Sequence, residues 1–494
     1  MTGQRMLVDI RHFTLTPGKI TLLLGESGIG KTLISRTIFG LMPEKELNIT
    51  INEQDYSDYL AGAQCREIQS QGFFVFQEPS SHLNPMMTLS DQLNEGTIHD
   101  PSSNNDILKA LFPALTDHER HQLLNVYPKP YRPSGGEKQR FLIAMAFKKM
   151  ALLKNPDTIF VFDEPTGNLD NVYRNIFLKM LIEVHKTIPL TVLLITHDYS
   201  MITELTTRHS EIPDHIEFHE MCVSDNRQKQ VKFSTESYIS WLRDLQPAVS
   251  QRKSSIDPIL RLEPEIEVFG RTLLITNDST HRSRSSLDIF EGDAVYLKAG
   301  SGVGKTTIAK IIMGLQHATR FNLNLKGLDL NEKTPINVWK NRIWARTMSM
   351  VFQHADEALN LSGKVKDIFR GLPIPERSDR GFIKSTLETV FEKNLPPSFL
   401  DMPVAYLSGG QKQRLNLIRA LILEPDILIL DEPFNGLDFN TMQRILDLLQ
   451  AHQKKGKSFL IISHNEEIID RFVTPDRIYY LYRDRSDQER SESP

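Results

Sequence analysis

Two lysines, Lys31 and Lys305, each close a glycine-rich run and are followed by a threonine, in GESGIGKT (25–32) and AGSGVGKT (299–306). In such a loop, backbone N–H groups wrap phosphate oxygens and the lysine reaches the terminal phosphates. The hydroxyl of Thr32 or Thr306 is then placed to ligate Mg2+. Gly25, Gly28 and Gly30 shape the first loop, and Gly300, Gly302 and Gly304 the second. The second copy departs at Ala299, a position that shapes the turn rather than the charge. Downstream, FVFDEP (160–165) and LILDEP (428–433) are apolar runs ending in paired carboxylates. Asp163 and Asp431 are candidates to hold Mg2+, and Glu164 and Glu432 to polarise an attacking water as general base. His197 and His464 follow the aspartates by 34 and 33 residues and are candidate γ-phosphate contacts.

Between loop and carboxylates each half carries a further motif, PSGGEKQR (133–140) and LSGGQKQR (407–414). Ser134 with Gly135 and Gly136, and Ser408 with Gly409, Gly410 and Gln411, read as a second anion-binding helix start. A half that already owns a phosphate loop has no need of another for its own nucleotide. The simplest use of this motif is to serve a nucleotide held by the other half. Gln77 and Gln353 precede it in each set, and both Lys31 to Lys305 and Ser134 to Ser408 span 274 residues. Five motifs repeated in one order make the chain two tandem ATP-hydrolysing cassettes.

Each motif needs an element to hold it. KITLLLG (19–25) reads as a strand running into the loop, and TLISRTIFGLM (32–42) continues it with helical periodicity. TIFVFDEP (158–165) and TVLLITHD (191–198) are uniformly apolar, as strands of a buried parallel sheet are, with NVYRNIFLKMLIEVHK (171–186) as the helical crossover. The second half repeats the layout in DAVYLKAG (293–300), DILILDEP (426–433), TMQRILDLLQAHQKK (441–455) and SFLIISHN (458–465). The stretches from Gln77 to Ser134 and from Gln353 to Ser408, rich in helix formers, predict a helical lobe in each half. The expected fold is therefore α/β, two P-loop domains each with a mainly parallel sheet and a helical lobe. Residues 1–245 form the first domain, 246–258 (QPAVSQRKSSIDP) a linker, 259–482 the second domain and 483–494 a charged tail. TNDSTHRSRSS (276–286) is a charged loop that the first half lacks.

The chain has 494 residues, 40% hydrophobic and 24% charged, with a net charge of −4. That balance asks for no nucleic-acid partner. Two cysteines cannot build an iron–sulfur or four-cysteine zinc site, which excludes the DNA-repair ATPases that carry zinc clusters. MTGQRMLVDIRHF has no apolar core of signal-peptide length, and no stretch approaches the ~20 apolar residues that span a bilayer. The expectation is a protein on the cytoplasmic side whose membrane part, if it has one, is another chain.

Together these motifs resemble the twin nucleotide-binding subunits of the ATP-binding cassette (ABC) superfamily over nearly the whole length. That resemblance implies a head-to-tail arrangement with two ATP molecules sandwiched between the halves, each touching one phosphate loop and the opposite signature motif. It implies that Gln77 and Gln353 sense Mg2+ and face a transmembrane partner. Asp170 (GNLD) and Asp438 (NGLD) would communicate across the interface. FQEPSSHLNPMMTL (76–89) is similar to the flank found in importers of dipeptides, oligopeptides, nickel and glutathione, and FQHADEALNLSGKV (352–365) is a worn version. The implied partners are two transmembrane permease subunits and, through them, an extracytoplasmic substrate-binding protein, at the cytoplasmic face of the cell membrane. The competing reading is a soluble twin-cassette ATPase acting on ribosomes, against which the short Pro-containing linker and the LNP flank both argue. One composite site, GESGIGKT with LSGGQ, keeps the family pattern; the other, AGSGVGKT with PSGGE, departs from it, so the first should hydrolyse faster. Phe269 is the candidate adenine-stacking aromatic of the second half; in the first, Lys31 lies too near the amino terminus for the usual upstream strand.

Overall fold

The computed structural model describes residues 8–44, 48–95, 101–126, 133–153, 158–167, 169–208, 213–224, 227–247, 257–281, 283–300, 302–373, 380–391 and 395–484. Most of the expected linker and the tail beyond 484 lie outside the described residues. The chain divides into two compact units, Met1–Tyr238 and Ile239–Pro494.

Among the described residues the first unit is built on β1 (Ile20–Gly25), β2 (Phe73–Val75), β3 (Ile159–Asp163), β4 (Thr191–Ile195), β5 (Ile216–Ser224) and β6 (Arg227–Lys232). They form one sheet in the order β2-β3-β4-β1-β5-β6. All neighbours run parallel except the β5–β6 hairpin. β1 and β4 are buried along their whole length, so they carry apolar residues on both faces, as strands covered by helices must. The helices are α1 (Lys31–Ile38), α2 (Gly135–Ala151) and α3 (Asn171–Thr187). α1 ends at Phe39, short of the predicted span, because Gly40 takes φ 69° and its N–H turns back to the Thr37 carbonyl.

The second unit repeats this plan with β7 (Glu265–Val268), β8 (Arg271–Thr276), β9 (Ala294–Lys298), β10 (Met348–Val351), β11 (Ile427–Asp431), β12 (Ser458–Ile462) and β13 (Ile478–Arg483). Their order is β7-β8-β13-β9-β12-β11-β10, parallel from β13 to β10 and antiparallel beyond it. A small antiparallel sheet (Leu260–Leu262, Leu287–Ile289, Asn322–Leu325, Leu328–Asn331) covers one side. The helices are α4 (Lys305–Ile312), α5 (Gly409–Leu421) and α6 (Phe439–Lys454). Arg483, placed in the tail by the sequence, closes the last strand.

The two lobes differ. Between Gln77 and Ser134 lie helices Leu89–Asn94, Pro101–Leu111 and Asp117–Leu124. Between Gln353 and Ser408 the described residues hold one α-helix, Arg380–Leu387, and short 3-10 turns.

Candidate functional site

In the first unit β1 delivers the chain to a loop in which Gly25, Gly28 and Gly30 take φ values of 132°, 84° and 109°. A Cβ on Gly25 would lie 2.6 Å from the Met221 carbonyl, so the glycine here is steric as well as conformational. Lys31, the first residue of α1, curls its ammonium back to the carbonyls of Gly25 (2.6 Å) and Glu26 (3.0 Å). Burial pulls its pKa down, with Glu164 and Asp163 opposing. In the second unit Ala299 is absent from the residues with positive φ, and Lys305 still reaches its carbonyl at 2.7 Å. The substitution thus follows a different local backbone and leaves the lysine's seat intact.

At the carboxyl end of β3, Asp163 faces α1, and the Thr32 hydroxyl lies 3.2 Å from its Oδ1. Burial pushes the Asp163 carboxyl up to about 6, and burial does the same to Asp431. Asp431 is 0% exposed, and the Thr306 hydroxyl with Lys310 and Lys305 opposes the cost of burying its charge. A buried carboxylate in that setting fits a cation. Among the described residues no three His, Cys, Asp or Glu side chains gather as a metal cluster. The arrangement suits a hard Mg2+ held by one carboxylate, one hydroxyl and substrate phosphates.

Glu164 and Glu432 follow, and both sit at φ 50°, in the left-handed region. Each is anchored by its N–H on the neighbouring strand, to Ile195 at 3.0 Å and to Ile462 at 2.8 Å. Their surroundings then diverge. His197 Nδ1 lies 2.8 Å from Glu164 Oε2, and its ring is 25% exposed. Burial alone would raise the Glu164 carboxyl; His197 and Lys31 outweigh it and hold the group below its ordinary value, while His197 is raised in return. His464 is 47% exposed, with Nε2 3.4 Å from Glu432 Oε1. Its backbone N–H also donates to the carboxylate, at 3.0 Å from Oε2. Burial therefore carries Glu432 up to about 7 against that N–H and Lys305.

The signature serines are helix caps. Ser134 accepts from the Glu137 N–H (3.3 Å), while the Glu137 carboxylate takes the Ser134 N–H (2.7 Å). Ser408 and Gln411 form the same reciprocal box at 3.1 and 3.0 Å. The glycines after each serine open the helix, which leaves its first N–H groups accessible. Only in the first unit does a charged carboxylate already occupy that end. Farther along α2, the Arg140 guanidinium lies 3.9 Å from the Tyr173 ring and 4.6 Å from Phe112. Asp170 and Asp438 cap the helices that follow them: Asp170 accepts from the N–H groups of Val172 and Tyr173, Asp438 from that of Thr441. Gln77 and Gln353 lie just beyond β2 and β10, the former exposed and the latter half-buried.

Sequence reasoning did not single out five residues that the structure brings into these contacts. Arg174 and Asp198 form an ion pair beside His197. His281, in the charged loop 276–286, stacks flat on Tyr482 (4.5 Å, 2° between planes). The next residue, Arg483, donates to the Gly302 carbonyl of the phosphate loop. Phe269 sits in the β7–β8 turn, 71% exposed. The only sequence signal for His281 is a ring amid small and basic residues.

The family model for ABC transporters matches residues 8–167 and 283–435, more than half of the chain and once in each unit. The chain belongs to the ABC transporter family. As an ABC ATP-binding protein it hydrolyses ATP. It is 28% identical to the ABC transporter ATP-binding protein YejF of Escherichia coli over 94% of this chain and 88% of that one. It is 26% identical to the peptidoglycan transport ATP-binding protein YejF of Agrobacterium fabrum (94% and 85%). With the glutathione import ATP-binding protein GsiA of E. coli it shares 24% (97% and 83%). Among solved structures, the RNase-L inhibitor aligns with a TM-score of 0.57 at 17% identity, covering 97% of this chain and 88% of that one. An archaeal ribosome recycling factor aligns with a TM-score of 0.59 at 18% (98% and 89%). Those two show a shared twin-cassette fold. No helix of the described residues is long and apolar enough to cross a membrane.

Proposed function

We propose that this protein is the energy-coupling ATPase of an importer for peptides, of the dipeptide, oligopeptide or glutathione class, or for nickel or a metallophore. The observation that carries the reading is the FQEPSSHLNP flank at Gln77, supported by the full-length likeness to proteins named for glutathione import and peptidoglycan transport. ATP would be held by the phosphate loop of one cassette and the signature helix of the other. Lys31 and Lys305 bind its terminal phosphates, and Glu164 and Glu432 take the proton of the attacking water. His197 and His464 contact the γ-phosphate. Thr32 with Asp163, and Thr306 with Asp431, hold Mg2+ together with Gln77 and Gln353. When bound, that ion neutralises charge on the phosphate oxygens. In the second cassette His281, stacked on Tyr482 whose neighbour Arg483 meets the phosphate loop, is a better candidate than Phe269 to meet the adenine. Both sites hydrolyse, the one containing Glu164 faster.

Closure of the cassettes would be passed through the lobes bearing Gln77 and Gln353 to two permeases at the cytoplasmic face of the membrane, and through them to a substrate-binding protein. The deciding experiment is a pull-down of tagged protein carrying E164Q and E432Q, with Mg-ATP, from detergent-solubilised membranes of its own cell. Recovery of two polytopic permeases supports the importer reading. Recovery of ribosomes, the alternative that the twin-cassette fold also suits, overturns it and leaves the ATPase intact.

A further inference from the structure

The two cassettes are a natural internal comparison, because His197 meets its glutamate through Nδ1 at 2.8 Å while His464 meets its own through Nε2 at 3.4 Å and is more exposed. The difference traces to the residue after each histidine, Asp198 in the first cassette and Asn465 in the second. Both turns are otherwise alike: the Asp198 N–H donates to Thr196 Oγ1 at 3.0 Å and the Asn465 N–H to Ser463 Oγ at 3.1 Å. Only Asp198 has a cationic partner. Arg174 Nη1 lies 3.0 Å from its Oδ2, and the Ser200 N–H donates to its Oδ1 at 3.0 Å. Arg174 also donates to the Ser200 hydroxyl, which closes the set. The arginine is only 7% exposed and rises from the first turn of α3, the turn capped by Asp170. Burial would raise the Asp198 carboxyl, and Arg174 and Ser200 hold it below its ordinary value. The position of Arg174 is taken in the second cassette by Met442, four residues after Asp438 and fully packed.

We propose that the Arg174–Asp198 pair is a positioning device that holds His197 against Glu164, and that Met442 and Asn465 leave His464 without one. The inference rests on the reading of His197 as a γ-phosphate contact. Stability does not account for the pair, since buried ion pairs are commonly replaced by apolar residues without loss, and the second cassette contains that replacement. Position does account for it. Asp198 is one bond away from His197, so fixing its carboxylate on α3 fixes the turn that aims the imidazole. The same helix turn bears Tyr173 against Arg140 of the signature helix, so the histidine is tied to the element that presents the signature serine. Among the described residues of the second cassette, with Thr441 and Met442 at these positions, neither tie is present.

The test is single-turnover ATP hydrolysis in the E432Q background, where Glu164 is the remaining base. The variant R174M/D198N installs the pair of residues already accommodated by the second cassette, which guards against simple unfolding. The expected result is a rate about tenfold lower, the scale on which small misplacements of a catalytic group act. KM for ATP and Tm stay unchanged, D198N alone loses as much as the double variant, and R174K recovers part of the rate. Parent-level hydrolysis by the double variant overturns the proposal. So does a parallel fall in rate, ATP affinity and Tm, which would mark the pair as scaffold. If H197A in the same background hydrolyses normally, the reading of the histidine itself fails, a result separable from failure of the pair.

Discussion

The contrast between Glu164 and Glu432 can be read out by pH. A general base works only when ionised, and the two carboxyls ionise in different ranges. Glu432 is raised from 4.5 to about 7 by burial, a shift worth about 3 kcal/mol at 1.36 kcal/mol per pK unit. Glu164 is held below its ordinary value by His197 and Lys31, so it stays ionised from pH 6 to 8. The ionised fraction of Glu432 is then about 0.1 at pH 6, about 0.5 at pH 7 and about 0.9 at pH 8, a rise of roughly ninefold. The perturbation is E164Q, which leaves Glu432 as the only base, set against E432Q, which leaves Glu164. The assay is phosphate release in a single turnover at saturating Mg-ATP over pH 6 to 8. E164Q should climb about ninefold across that range and E432Q should stay level within about twofold. Superimposable profiles, or a flat E164Q profile, would refute the link between the histidine's position and the state of the base.

Three further outcomes follow from particular contacts. Glu137→Gln removes the charged carboxylate from the start of α2, so in the E164Q background it should tighten ATP by about fivefold while costing the helix a few tenths of a kcal/mol; equilibrium nucleotide titration and Tm together check it, and unchanged affinity counts against a phosphate at this helix end. His281→Ala, in the same background, should raise KM for ATP about fivefold through lost stacking, with the burst rate preserved; an unchanged KM returns the role to Phe269. His185 is 2% exposed and meets His215 edge-on at 5.5 Å; burial, and then His215, hold its pKa below 6.5. The neutral form is therefore the native one, and stability present above pH 6.5 is lost as pH falls below it. Thermal unfolding of wild type should drop between pH 7.5 and 5.5, and His185→Phe should flatten that drop.

The catalytic framework was legible because it is made of short-range signals. β1, β3 and β4, and their counterparts β9, β11 and β12, are continuous apolar runs ending in a glycine loop, a carboxylate pair or a histidine. Burial on both faces forces that pattern on any such strand. The partner of each motif was harder to read. Arg174 and Asp198 are 24 residues apart on different elements, and a lone arginine in an amphipathic helix reads as a solvated face. Thr32 and Asp163 were each named from the sequence, but their meeting at 3.2 Å is a property of the sheet order. The state of Glu432 was not readable at all, since it depends on how far a ring 32 residues away turns towards solvent.

The left-handed backbone at Glu164 and Glu432 bears on how this sequence can drift. A side chain at φ 50° costs of order 1 kcal/mol that glycine would not incur. Selection for folding alone would therefore favour glycine at both positions, and Glu164→Gly or Glu432→Gly should each silence its own site while leaving the protein no less stable. The glutamates persist against that gradient only while turnover is demanded. In a lineage where one cassette falls idle, this is where decay can begin without harming the fold.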